Sequence, residues 1–141
     1  MNLLDVGPPR PFLGYDAGQA ALFAAAWLPA WTGNHPERLV SFYTEDTFYG
    51  DPEVPAGLHG RKSLLVYLRR LLARHPEWVW TLRASAPMQD GFVNFWQAKE
   101  PIAGTEIGFS GVCLVVVRDG LIARTEVFFD RTLFCERQAG R

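Results

Sequence analysis

Phe42–Gly60 reads FYTEDTFYGDPEVPAGLHG, with one helix-like segment before it and another after it. Inside it, Phe48 and Tyr49 lead up to Asp51, and Pro52 comes directly after that acid. Proline disfavours αR for the residue before it, so Asp51 is set in extended backbone. Pro55 and Gly57 bring the chain round to a helix start at His59-Gly60. Two readings of Asp51 stand side by side. Asp-Pro is a common turn pair, whose carboxylate bonds its own backbone. An acid held on a rigid turn among aromatic side chains is also what a general base in an apolar pocket requires.

Upstream, Asp16 is a candidate N-cap, and Ala21–Leu28 (ALFAAAWL) strongly favours helix. Almost every face of that helix is apolar, which predicts burial on most sides. Pro29 bends it and Gly33-Asn34 ends it. Pro36 opens a second, short helix to Tyr43, where its missing donor costs little. A third helix is expected from Arg61 to Arg74, with Leu64, Leu65, Leu68, Leu71 and Leu72 on one stripe. Arg69, Arg70 and Arg74 form its solvated face. Residues 1–15 hold three prolines and two glycines and read as an extended arm. The domain proper is expected over residues 16–135, with a tail at 136–141.

After Glu77 the period changes from helical to alternating. Strands are expected at Trp78–Ala84, Phe92–Lys99, Thr105–Val117 and Leu121–Phe129, with turns at Gln89-Asp90-Gly91, Pro101–Gly104 and Arg118-Asp119-Gly120. Phe109, Gly111, Cys113 and Val115 share one face, while Val112, Leu114 and Val116 share the other. In the last strand Ala123, Thr125, Val127 and Phe129 oppose Arg124, Glu126 and Phe128. Both sheet faces are apolar near the middle, so both require cover. The helices cover one, and a second copy of the chain is expected on the other, as a homodimer through the outer sheet face. Helices followed by a meander of long strands read as α+β.

Composition narrows the function. The chain has 141 residues, 48 % hydrophobic and 21 % charged, with a formal net charge of −1. One domain of this length buries about two thirds of its unfolded surface. Neither nucleic acid nor a membrane is an expected partner for so balanced a charge. Two cysteines, Cys113 and Cys135, and three histidines make neither a disulfide framework nor a zinc spacing. A reducing, cytoplasmic setting is expected. The most apolar run, Ala20–Trp31, is too short to span a bilayer. Asp5 and Asp16 flank it on the amino-terminal side, which disfavours a signal peptide. Without a Gly-rich phosphate loop or a metal cluster, no cofactor is expected.

Taken together, FYTEDTFYGDP (Phe42–Pro52), GLHGRKSLLVYL (Gly57–Leu68), FSGVCLVVVRDGLI (Phe109–Ile122) and EVFFD (Glu126–Asp130) resemble the nuclear transport factor 2-like superfamily, in its SnoaL-like branch. The resemblance spans Asp16 to Phe134. It implies a cone-shaped α+β barrel, three N-terminal helices packed in a strongly curved, mostly antiparallel sheet. It aligns Asp51 with the proton-shuttling base of ketosteroid isomerases, whose oxyanion hole uses a Tyr and a protonated Asp. Those donor places fall here near Ala26 or Trp27 and on Cys113. The acid that polyketide cyclases carry on the final strand falls on Val127.

The resulting expectation is proton transfer by Asp51 on a small, apolar, cyclic metabolite, in an isomerase, cyclase or lyase reaction. The alternative is a dimeric module of the same fold that binds a small hydrophobic ligand without turnover. Tyr49 shares a face with Asp51 and is the candidate to orient it, or a core residue. Trp27, Tyr43, Tyr67, Phe109 and Phe129 are candidate walls, with Cys113 and Val127 behind the substrate. His59 is placed at the cavity mouth or on the surface, whereas His35 and His75 precede prolines and read as turn residues. Parity leaves open whether Asn94 and Trp96 or Phe95 and Gln97 face inward; Phe95 is carried as a candidate lining residue.

Overall fold

The computed structural model describes residues 16–132. The arm at residues 1–15, the end of the domain at 133–135 and the tail at 136–141 lie outside them. Helix α1 (Ala17–Trp27) opens on a capping box, in which Asp16 and Gln19 each bond the other's backbone N–H. Pro29 does not merely bend α1. It turns the chain into a short 3₁₀ segment, Leu28–Trp31, that drops Trp31 into the core. Ala20, Ala24 and Trp27 are buried, but Leu22 is 75 % exposed, so α1 is covered on fewer sides than its composition suggested. Helix α2 (Pro36–Val40) is shorter than expected, and α3 (Arg61–Arg74) has the expected bounds.

The sheet has six strands: β1 (Tyr43–Asp51), β2 (Val54–His59), β3 (Val79–Met88), β4 (Gly91–Ile102), β5 (Thr105–Arg118) and β6 (Leu121–Phe129), ordered β2-β1-β6-β5-β4-β3. Every neighbouring pair is antiparallel except β1–β6. The sheet curls round the helices without closing, which makes the fold an α+β cone.

The main departure from the sequence reading is Phe42–Gly60. It is a hairpin, with Asp51 paired to Val54 across a two-residue turn. Pro55, read as a turn residue leading to a helix start, lies in β2, which is an edge, where a missing donor leaves no ladder bond unmade. Gly57 sits at φ +80, and a Cβ there would lie 2.3 Å from the Phe48 ring. Only glycine serves that position.

β1 is anchored in the sheet by Ile122 N–H donating to Phe42 O (2.7 Å) and Thr47 Oγ1–H donating to Ile122 O (3.0 Å). A register shift at Ala123 puts Ile122 inward alongside Thr125, Val127 and Phe129. The inner face of β4 carries Phe92, Asn94, Trp96 and Ala98, all buried. The Trp96 indole passes over Gly111 on β5, where an added Cβ would lie 2.3 Å from the ring.

Candidate active site

Asp51 ends β1 at the hairpin turn, which aims its carboxylate at α3. Oδ1 accepts the backbone N–H of Glu53 (2.7 Å) and of Val54 (3.1 Å). Oδ2 accepts two phenols, Tyr49 at 2.8 Å and Tyr67 at 2.6 Å. The turn reading and the site reading of Asp51 therefore describe the same residue. Four donors match the four lone-pair positions of a carboxylate, so the anion is held in one orientation. Tyr67 has a second acceptor, Glu53 Oε2 at 3.3 Å, and Glu53 in turn pairs with Arg74 (3.2 Å).

Asp51 and Tyr49 lie on the wall of a hollow between the helices and the curled sheet. Trp27, Trp31, Trp78, Trp80, Phe109, Cys113, Val127 and Phe129 line it, with Trp80 meeting Phe109 edge to face at 6.0 Å. Empty space there amounts to ≈ 620 Å³ with the open mouth included, but only ≈ 40 Å³ is open to the centre of a water molecule. At about 10–15 Å³ per water that is room for roughly three. The hollow is thus a slot, and a ring-sized occupant requires the aromatic walls to part.

Burial, then the charge on Asp51, pushes the Tyr49 phenol well above its ordinary value. Burial, then the hydrogen bond to Asp51, does the same to Tyr67. Both remain protonated donors. Burial pushes the Cys113 thiol up to about 12, against the Trp96 indole N–H that bonds its sulfur at 3.1 Å. A thiol so placed is no nucleophile near neutrality. Behind it, Tyr43 is fully buried and its phenol is raised by burial, with the Trp27 and Thr125 side chains pulling the other way. Those contacts fall short of hydrogen-bond geometry: Tyr43 OH, Trp27 Nε1, Thr125 Oγ1 and both Asn94 side-chain atoms have no partner among the described residues.

The structure brings Asp51, Tyr49, Trp27, Phe109, Cys113, Val127 and Phe129 to the slot; Tyr67 is not among the residues that line it and is tied to it through its bond to Asp51. Three further expected residues are elsewhere. Tyr43 packs behind Trp27 (centroids 6.5 Å apart) and does not reach the wall. His59 ends β2 on the outside, its ring against Phe48 at 5.1 Å, because the stretch is a strand and not a helix entry. Phe95 is 44 % exposed on the outer face, since the register of β4 turns Asn94 and Trp96 inward.

His75 departs further from its expected role as a turn residue. It caps the carboxyl end of α3, is buried on the slot wall, and bonds Glu100 on β4 through Nδ1 at 2.9 Å. Its ring stacks on Trp78, centroids 4.6 Å apart and 9° from parallel. The alternation of Trp78 and Trp80 was the only sequence signal for that wall; nothing local pointed to Glu100. Among the described residues, no helix is long and apolar enough to cross a membrane, and no group of three or more metal-ligating side chains converges.

The family model for the SnoaL-like domain matches residues 24–125. No curated protein matches the chain. Solved structures share its fold. One is a hypothetical protein with a ketosteroid isomerase-like fold from Catenulispora acidiphila DSM 44928, in complex with trimethylamine. It is 22 % identical, with TM-score 0.69 over 77 % of this chain and 85 % of that one. TerC, co-crystallized with polyporic acid, is 19 % identical, with TM-score 0.70 over 83 % and 95 %. A protein from Jannaschia Sp. CCS1 assigned to the SnoaL-like polyketide cyclases is 12 % identical, with TM-score 0.76 over 96 % and 99 %.

Proposed function

Because the chain belongs to the SnoaL-like domain family, we propose that it is a cofactor-free proton-transfer enzyme of the isomerase, cyclase or lyase kind. Its substrate is a small, apolar, cyclic molecule held in the aromatic slot. The observation that carries this reading is the carboxylate of Asp51 at the slot wall with two phenols on one oxygen. Tyr67 is the movable partner. When its O–H swings towards Glu53, Oδ2 is released to take a proton from the occupant, while Tyr49 keeps the acid in place. The apolar walls favour a neutral ring and exclude competing water.

A binding module without turnover is the second reading, favoured by the saturation of Asp51 with four donors. Exchange of the α-protons of 2-tetralone in heavy water, followed by NMR, separates the two. An enzyme accelerates exchange and loses about 10²–10⁴ of it in Asp51→Asn, the range of general-base catalysis. A binder shows no acceleration, and Asp51→Asn leaves its affinity for 2-tetralone almost unchanged.

For the outer face we propose a second copy of this chain in a reducing, cytoplasmic setting. Phe95, Val112 and Phe128 are in register across β4, β5 and β6, and Phe128 is 57 % exposed. Among the described residues that apolar row lacks the cover a two-sided sheet needs.

A further inference from the structure

The sheet carries a second hollow, roomier than the slot. It is a groove of ≈ 240 Å³ at the β1–β2 turn, lined by Phe48, Gly50, Pro52, Pro55, Glu126 and Phe128. Asp51 and Val127 border both hollows, so the turn that holds the acid is shared between them. The register sets Gly50, Glu126 and Phe128 at one end of the outer face. At the other end Arg83 stands at a bulge of β3. Its guanidinium donates to Gln97 Oε1 (2.8 Å) and meets no carboxylate among the described residues. Between the two ends runs the apolar row Phe128–Val112–Phe95, and β5 lies midway from β1 to β3.

Resting on the second copy read above for the outer face, we infer that this groove receives the partner's Arg83, and that the turn carrying Asp51 is completed only in the pair. Identical faces that close on each other are isologous, so whatever one copy offers the other receives. Two face-to-face arrangements centre on β5. A two-fold axis across the strands lays β6 on β6, setting Glu126 against its own copy and Arg83 against its own. A two-fold axis along β5 lays β4 and β3 of one copy over β6 and β1 of the other. That arrangement sets the partner's Phe95 on Phe128 and the partner's Arg83 over the groove. Like charges across an interface cost affinity and opposite ones fix register, so the charges select the axis along β5. The groove also suits an arginine chemically. The apolar stem lies along Phe128 and Pro52, and the guanidinium meets the carboxylate of Glu126. Glu126 is engaged by Arg124 through Oε2 (3.2 Å), and Arg124 lies over the Phe48 ring, 4.1 Å from its centroid. Oε1 takes the incoming cation. The filled groove then braces the turn whose Glu53 and Val54 amides orient Asp51.

Charge reversal tests this in sedimentation equilibrium, with circular dichroism to check that each variant is folded. Arg83→Glu and Glu126→Lys each put two like-charge contacts into a pair of identical chains, and each weakens association at least about tenfold. Mixed in equal amounts, the two variants regain both opposite-charge contacts and associate as tightly as the unaltered chain. In isotope-labelled Arg83→Glu, the amide resonances of Glu53 and Val54 move as unlabelled Glu126→Lys is added. Folded variants that pair as the unaltered chain does, or a mixture that pairs no more tightly than either variant alone, overturn the inference and leave the second copy on the outer face. Pairing in the mixture with those two amides unmoved overturns the completion of the Asp51 turn. An unaltered chain that stays monomeric removes the second copy and this inference with it.

Discussion

Asp51 carries both structure and chemistry, and the two can be separated by substitution. Its loss leaves the buried Tyr49 hydroxyl without its acceptor and breaks the backbone bonds of the β1–β2 turn. Hydrogen bonds to a charged group contribute about 1.5–3 kcal/mol each, and an orphaned buried donor costs about 1–3 kcal/mol. Asp51→Ala is therefore expected to lower unfolding stability by ~3 kcal/mol in denaturant titration, and Asp51→Asn by less. Tyr67→Phe is expected to be milder still, because its hydroxyl is only partly buried. Cys113 offers an independent check on the dryness of the slot. With Cys135→Ser removing the other thiol, Cys113 is expected to react with a disulfide reagent only on unfolding, since its pKa is pushed up to about 12. Ready reaction in the folded protein would mean the slot is wet. Residue roles were legible where a local rule applied: Tyr49 reaches Asp51 because i and i+2 share a strand face. His75 escaped because its partner Glu100 lies 25 residues away, and His-Pro looks like a turn in isolation.

At the scale of elements, period carried most of the reading. α3 and β6 have the expected bounds because a leucine stripe and a clean alternation state their own repeat. β1 and β2 were hidden by Gly50, Pro52, Pro55 and Gly57, which are turn residues in any local scheme. What admits them to strands is position: β2 is an edge, and Gly57 makes room for the Phe48 ring. Neither fact exists before the sheet is assembled. Gly111 is the corresponding point inside the sheet. An added methyl would meet both the Trp96 ring (2.3 Å) and the Phe128 carbonyl oxygen (2.5 Å). Backbone cannot step aside as a flexible side chain does. Gly111→Ala is expected to cost about 3 kcal/mol, the upper end of overpacking, read as a lowered Tm. An unchanged Tm would show that Trp96 has freedom the slot geometry denies it.

The whole molecule should be vulnerable to alkali. Unfolded, the Cys113 thiol titrates near 9 and the Tyr43, Tyr49 and Tyr67 phenols near 10. In the folded state all four are raised, so the folded protein keeps protons that the unfolded chain gives up. Their contribution is whole below about pH 9 and declines as pH rises towards the folded values, by about 1.4 kcal/mol per pH unit for each fully buried group engaged and by less for the part-buried, solvent-screened Tyr67. Denaturant midpoints measured from pH 7 to 11 are expected to hold to about pH 9 and then fall with growing slope. A flat profile to pH 11 would contradict the burial of these groups. The outer face belongs to this scale too: Phe128→Glu is expected to convert a dimer to a monomer in sedimentation equilibrium without loss of fold. The fold class was readable because amphipathic order survives in any single sequence. Which aromatic faces a cavity was not, because that depends on register between distant strands. The most direct measurement is a crystal structure grown with 2-naphthol. The account predicts the ring system among Trp31, Trp80, Phe109 and Phe129, with its hydroxyl on Asp51 Oδ2 and Tyr67 turned to Glu53. A slot still closed, with those phenols unmoved and the naphthol elsewhere, would contradict it.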